Sequence, residues 1–146
     1  MRKDYIGLII CTVNVDLVTA NKLTWNFGVV IILDITITQM ALEYIAKASE
    51  TISNSKEKPA LAIWADRVYT WGGSRVEIRL DVYPENEILE VEGFENKGNL
   101  NGTDIPLYIH KNAYDFLPEK PNIDCSGLLL KRLFISNFTP VRFGRC

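Results

Sequence analysis

Apolar residues run along this chain in two rhythms, and the changes between them mark its elements. Tyr5 to Val15 is almost continuously apolar and rich in β-branched residues, as expected of a strand covered on both faces. After a polar break over 16–22, Leu23 to Thr38 reads as a second, longer strand, with Gly28 as a bend. In its second half Ile31, Leu33, Ile35 and Ile37 alternate with Ile32, Asp34, Thr36 and Thr38. The rhythm then changes to a helical one. Over Gln39 to Ser53 the residues Ala41, Leu42, Ile45, Ala48 and Ile52 form one stripe, and Glu43 and Lys47 pair at i,i+4 on the other side. Thr36 followed by Gln39 has the form of a capping box, and the polar run 54–58 with Pro59 ends the helix.

Alternation returns between Ala60 and Val82. Two strand-like runs flank Gly72 and Gly73, and glycine supplies the positive φ that a two-residue hairpin loop requires. Pairing outward from that turn sets Trp71 opposite Ser74, Tyr69 opposite Val76, Arg67 opposite Ile78 and Ala65 opposite Leu80. One face then carries Ile63, Tyr69, Trp71, Val76, Ile78, Leu80 and Val82. The other carries Arg75, Glu77, Arg79 and Asp81, with Asp66 facing Arg79 as a cross-strand ion pair. A turn at 84–87 leads into a third strand over Ile88 to Phe94, where Leu89 and Val91 alternate with Glu90 and Glu92. Gly93 to Gly102 reads as a loop, and Ile105 to His110 as a short strand that Pro106 assigns to a sheet edge. Pro118 to Pro121 is a further break. Leu128 to Phe134 fits a helix capped by Ser126 and a strand equally well. The expected fold is a single α+β domain over 1–146: a two-layer, mainly antiparallel sheet in β-β-α-β-β-β order against one main helix.

Composition narrows the function classes. With 146 residues, 47% of them hydrophobic, and a formal charge of −2, the chain can bury a core and has no overall pull toward polyanions. The charge is unevenly placed. Six acids and no base lie between Asp81 and Glu95, whereas Lys131, Arg132, Arg142 and Arg145 follow one another with no acid from 131 onward. Three scattered cysteines and one histidine assemble no metal-site spacing and suit a reducing, cytoplasmic setting, so no metal or cofactor is expected. The first 20 residues also have the outline of a signal peptide, though Asp4, Asn14 and Asp16 interrupt it, and the run is too short for a membrane span.

No nucleophile triad, phosphate-binding glycine loop or zinc-hydrolase motif occurs, so the balance leans away from an enzyme. The most distinctive cluster is on the hairpin: Trp64, Arg67, Tyr69, Trp71 and Arg75, residue types enriched at binding hot spots. Tyr69 and Trp71 share a face with Val76 and Ile78, which favours core for both rings over an interface. Arg67 on that same face is the odd member, and implies a bulge or an incompletely covered sheet. The leading expectation is a non-enzymatic domain that works through protein–protein interaction, as a homo-oligomer or an assembly component, with no membrane partner. A second reading is a ligand-binding or enzymatic site between helix and sheet, drawing on Asp34, Asp66, Glu77, Arg79 and His110. Nucleic-acid binding through the hairpin tip and the basic C-terminus is the weakest of the three, because the acidic run after Asp81 opposes it.

Overall fold

The structure is a computed structural model and describes residues 34–144. The expected strand over 5–15, most of the one over 23–38 and the signal-like segment lie outside the described residues. The end of the second strand is within them, as β1 (Thr36–Ile37), followed by α1 (Gln39–Asn54), β2 (Pro59–Thr70), β3 (Gly73–Pro84), α2 (Glu85–Leu89), β4 (Phe94–Asn99), β5 (Pro106–His110), β6 (Asn122–Ser126), β7 (Arg132–Ile135) and β8 (Val141–Phe143). The strands form two mixed sheets, ordered β1-β6-β7 and β4-β5-β2-β3-β8. All pairings are antiparallel except β1 with β6 and β2 with β5. This is an α+β fold with one main helix, α1, which packs against β2, β3, β6 and β7.

Helix α1 follows its predicted stripe: Ala41, Ile45 and Ser49 are buried, and Leu42, Ala48 and Ile52 are half-buried. Its cap is Thr38 rather than Thr36. Thr38 is extended, and its Oγ1 accepts from the Ala41 N–H at 3.3 Å and donates to Asp124 at 2.7 Å. Thr36 is unavailable because it pairs with Asn122 in the parallel β1–β6 ladder. At the other end Lys56 takes the left-handed conformation at φ 64, where glycine is usual, so that the Lys56 and Glu57 amides reach back to Ser53 and Ile52.

The β2–β3 hairpin forms, with its register moved by two residues. Thr70 pairs with Gly73, leaving Trp71 and Gly72 as the loop, and Arg67 faces Val76 while Ala65 faces Ile78. A shift of two keeps each side chain on its expected face. Gly73, at φ 134, is the glycine the turn cannot replace: a Cβ there would collide with the Phe143 carbonyl oxygen of β8. The stem holds the core of the larger sheet, with Leu61, Ile63, Leu80 and Val82 buried on one face and Ala60 and Ala62 on the other.

The third strand of the expected meander is absent. Residues 85–89 are a helix, started by Pro84 with its φ of −59 and by Glu85 and Glu87 in the positive first turn. Ile88 alone turns inward, onto Ala60, Ala62 and Tyr108, whereas Leu89 and Val91 are exposed. Alternation with Glu90 and Glu92 imitated a strand. The expected loop that follows contains β4, an exposed edge strand whose register breaks between Asn96 and Asn99 around Gly98. Pro106 misassigned its own strand as an edge. β5 lies inside the sheet between β4 and β2, and its proline is tolerated as the first residue of the strand. Of the ambiguous segment Leu128 to Phe134 only 132–134 lie in a strand, β7, paired with β6 from Ile123–Ile135 to Ser126–Arg132, and 128–131 belong to the turn before it.

Candidate interaction surface

Beyond Ile63 the β2–β3 hairpin leaves the core. Val76 and Ile78 remain buried, but Tyr69 is 76% and Trp71 91% exposed, which overturns their expected place in the core. Arg67 needs no bulge. It sits where cover ends, opposite Val76, with its guanidinium 4.6 Å from the centre of the Phe143 ring and one N–H directed at Ser74 Oγ. Phe143 and Val141 of β8 are themselves partly open to solvent. The apolar strip along this side of the tip therefore runs through Tyr69, Trp71, Val141 and Phe143, with Arg67 lying over Phe143.

The opposite face of the same hairpin is ionic. Arg75 Nε meets Glu77 at 2.6 Å, and Arg79 lies 3.3 Å from Glu77 and 3.9 Å from Asp66. The Arg75 hydrogen bond holds the Glu77 carboxyl below its usual range. Four of the residues expected to matter, Asp66, Arg75, Glu77 and Arg79, are thus brought together, but as a row in which each charge has a partner. Asp34 is exposed and takes no part in it.

Trp64 sits on that ionic face, half-buried, its ring 6.0 Å from Tyr83 at 54°. Together they open a groove of about 360 Å³ walled by Ala62, Ile88, Val91, Phe94 and His110. His110 is held rather than poised. Its Nδ1 accepts from the Asn112 amide at 3.1 Å, which leaves Nε2 protonated and donating to the Glu92 carbonyl at 2.9 Å. Phe94 meets the imidazole edge-on at 5.0 Å. Both ring nitrogens are thus engaged by backbone groups. No group of three or more His, Cys, Asp or Glu among the described residues is placed to hold a metal ion.

The most exposed apolar feature is one that sequence reasoning placed inside an element. Between β6 and β7 the chain turns through Gly127 to Lys131, and Leu128, Leu129 and Leu130 are 98%, 96% and 89% exposed. Gly127, at φ 117, closes the turn; a Cβ on it would strike the Leu130 carbonyl. Arg132, at the start of β7, comes within electrostatic reach of Glu77, so the leucine loop springs from beside the ionic row of the first hairpin. Three consecutive leucines ordinarily signal a buried element, so the leucines themselves do not mark a loop. The available signal was Gly127 placed between two β-prone runs.

Among the described residues no helix is long and apolar enough to cross a membrane. Comparison with protein-family models, with curated proteins and with solved structures finds no match to this chain.

Proposed function

We propose that this chain is a protein-interaction domain that binds through the exposed apolar tips of its β2–β3 and β6–β7 hairpins. The observation that carries the reading is the leucine loop. Turn positions favour Gly, Asn, Asp, Ser and Pro for conformational reasons, and leucine serves none of them. Three leucines left open to water at such a site contribute nothing to the core and add a contiguous apolar patch of the sort that marks interaction sites. A position that violates local rules without benefit to the fold is where a binding role is expected. Trp71 and Tyr69 repeat the pattern on the neighbouring hairpin, with the residue types that dominate binding energy at interfaces.

The competing readings have less support. Nucleic-acid binding through the hairpin needs free bases, but Arg75 and Arg79 are engaged by Glu77 and Asp66. An enzymatic site built on His110 would draw on a ring whose nitrogens are both engaged by backbone groups.

The test is native mass spectrometry of the full chain isolated from cells that produce it naturally, beside a variant carrying Leu128→Asp, Leu129→Asp and Leu130→Asp. The reading predicts a complex with a second polypeptide, identical or different, in fixed ratio, and its loss in the variant. Monomer mass for both proteins would sink it.

A further inference from the structure

The groove under Trp64 and the leucine loop are complementary in polarity and in charge. The groove is walled by Trp64, Tyr83, Ile88, Val91 and Phe94. Glu87 lines it, Glu90 and Glu92 flank its wall residue Val91 in sequence, and all three are exposed and, among the described residues, in no ion pair. Leu89, next to the wall residue Ile88 in sequence, is exposed on α2. A ligand suited to this site is a short apolar segment followed by cations. The chain itself presents one, because Leu128, Leu129 and Leu130 are followed at once by Lys131 and Arg132, both exposed. In their own copy the three leucines remain almost fully exposed, so docking the loop on this groove takes a second molecule.

We infer that the leucine loop of one copy docks in the Trp64–Tyr83–Phe94 groove of a second copy, with Lys131 and Arg132 meeting Glu87, Glu90 and Glu92 on its rim. The inference rests on the protein-interaction reading and names the partner for it. The two surfaces are different patches of one chain, so the contact is head-to-tail: the copy that gives its loop keeps its groove, and the copy that gives its groove keeps its loop, each for a further neighbour. Growth then ends in a ring or continues as a filament. A contact confined to one five-residue loop falls in the small class of interface, so it should be weak and concentration-dependent. Its charged rim makes it salt-sensitive, because exposed charges are screened beyond about 8 Å at physiological ionic strength.

Sedimentation equilibrium of the purified full chain over a concentration series tests this. The variants are Leu129→Asp, the rim reversal Glu87→Lys with Glu90→Lys, and the loop reversal Lys131→Glu with Arg132→Glu, all at exposed positions. Self-docking predicts association of the wild type that weakens with added salt, loss of at least about tenfold in each variant, and recovery when the two charge-reversed variants are mixed. Association that ignores the rim reversal would overturn it, as would a monomer at every concentration. Addition of anionic lipid vesicles separates a further case: a monomer whose loop binds the vesicles also overturns self-docking. A wild type that is monomeric alone yet is isolated from its own cells with a different polypeptide overturns self-docking and leaves the interaction reading standing. Absence of a complex in both settings removes both.

Discussion

The β2–β3 and β6–β7 hairpins are built alike at the stem and differently at the turn. In β2–β3 and in β6–β7 the stems bury alternate residues, Leu61, Ile63, Leu80 and Val82 in one, Ile123, Cys125, Leu133 and Ile135 in the other. Both turns depend on a glycine at positive φ, Gly73 and Gly127, each tight against a carbonyl oxygen. The loops diverge in what they display: an aromatic pair, Tyr69 and Trp71, on the first, and three leucines on the second. Backbone chemistry therefore accounts for the glycines in both cases and for none of the apolar side chains beside them. Those side chains are largely exposed, and the proposed partner contact rests on that exposure.

Substitutions that separate stem from tip sharpen that contrast. The largest effect is expected in the stem: Ile63→Ala, at a fully buried position, should cost about 2–5 kcal/mol in urea unfolding, from lost burial and the cavity left behind. Next comes the turn. Gly73→Ala forces a side chain into a left-handed conformation and into the Phe143 carbonyl, and should cost about 1–3 kcal/mol while releasing β8 from β3. Loss of amide protection at 141–143 alone would register the second effect.

A smaller change is expected where α1 meets the sheet. Tyr44 donates to Asp81 at 3.1 Å, and burial, followed by the charge of Asp81, pushes its hydroxyl up to about 12 from 10.0. Because the folded state holds the proton more tightly than the unfolded one, the contribution is complete below pH 10 and is lost as pH rises toward 12. Tyr44→Phe should therefore remove about 1 kcal/mol at neutral pH and flatten the alkaline decline. A decline of unchanged slope would mean that another group carries it. The smallest effect belongs to the ionic row. Glu77 is held below 4.5 by Arg75, so its contribution is present above that pH and fades as acid protonates the folded state. In Arg75→Ala the Glu77 carboxyl should titrate closer to 4.5 by NMR, with stability at neutral pH within about 0.5 kcal/mol of wild type.

What was legible in the sequence follows the same division between backbone and side chain. Helix α1 and the β2–β3 hairpin were readable because periodicity, capping polarity and glycine placement agreed with one another. Residues 85–99 were misread because both cues there were local imitations. Leu89 and Val91 alternate with glutamates on a helix-to-turn segment that buries only Ile88, and the polar, glycine-containing run after Gly93 is a bulged edge strand that has little to bury. Pro106 obeyed the rule for a strand's first residue rather than the rule for edges. Of the expected interface residues, Arg67, Tyr69, Trp71 and Arg75 lie toward the hairpin tip, with Trp64 on the far face beside the groove. The leucine loop is not legible because hydrophobicity by itself implies burial. No window of sequence states which side of the surface a leucine lies on.

If Leu128, Leu129 and Leu130 serve a partner and not the fold, urea unfolding at a protein concentration low enough to keep the chain apart will show the domain's stability almost untouched by their loss. Replacing all three by serine should change the unfolding free energy by no more than about 0.5 kcal/mol per residue, as for exposed positions. A loss approaching the roughly 2–5 kcal/mol per residue typical of truncating a buried leucine would show that the loop is packed into the domain, and would contradict the account.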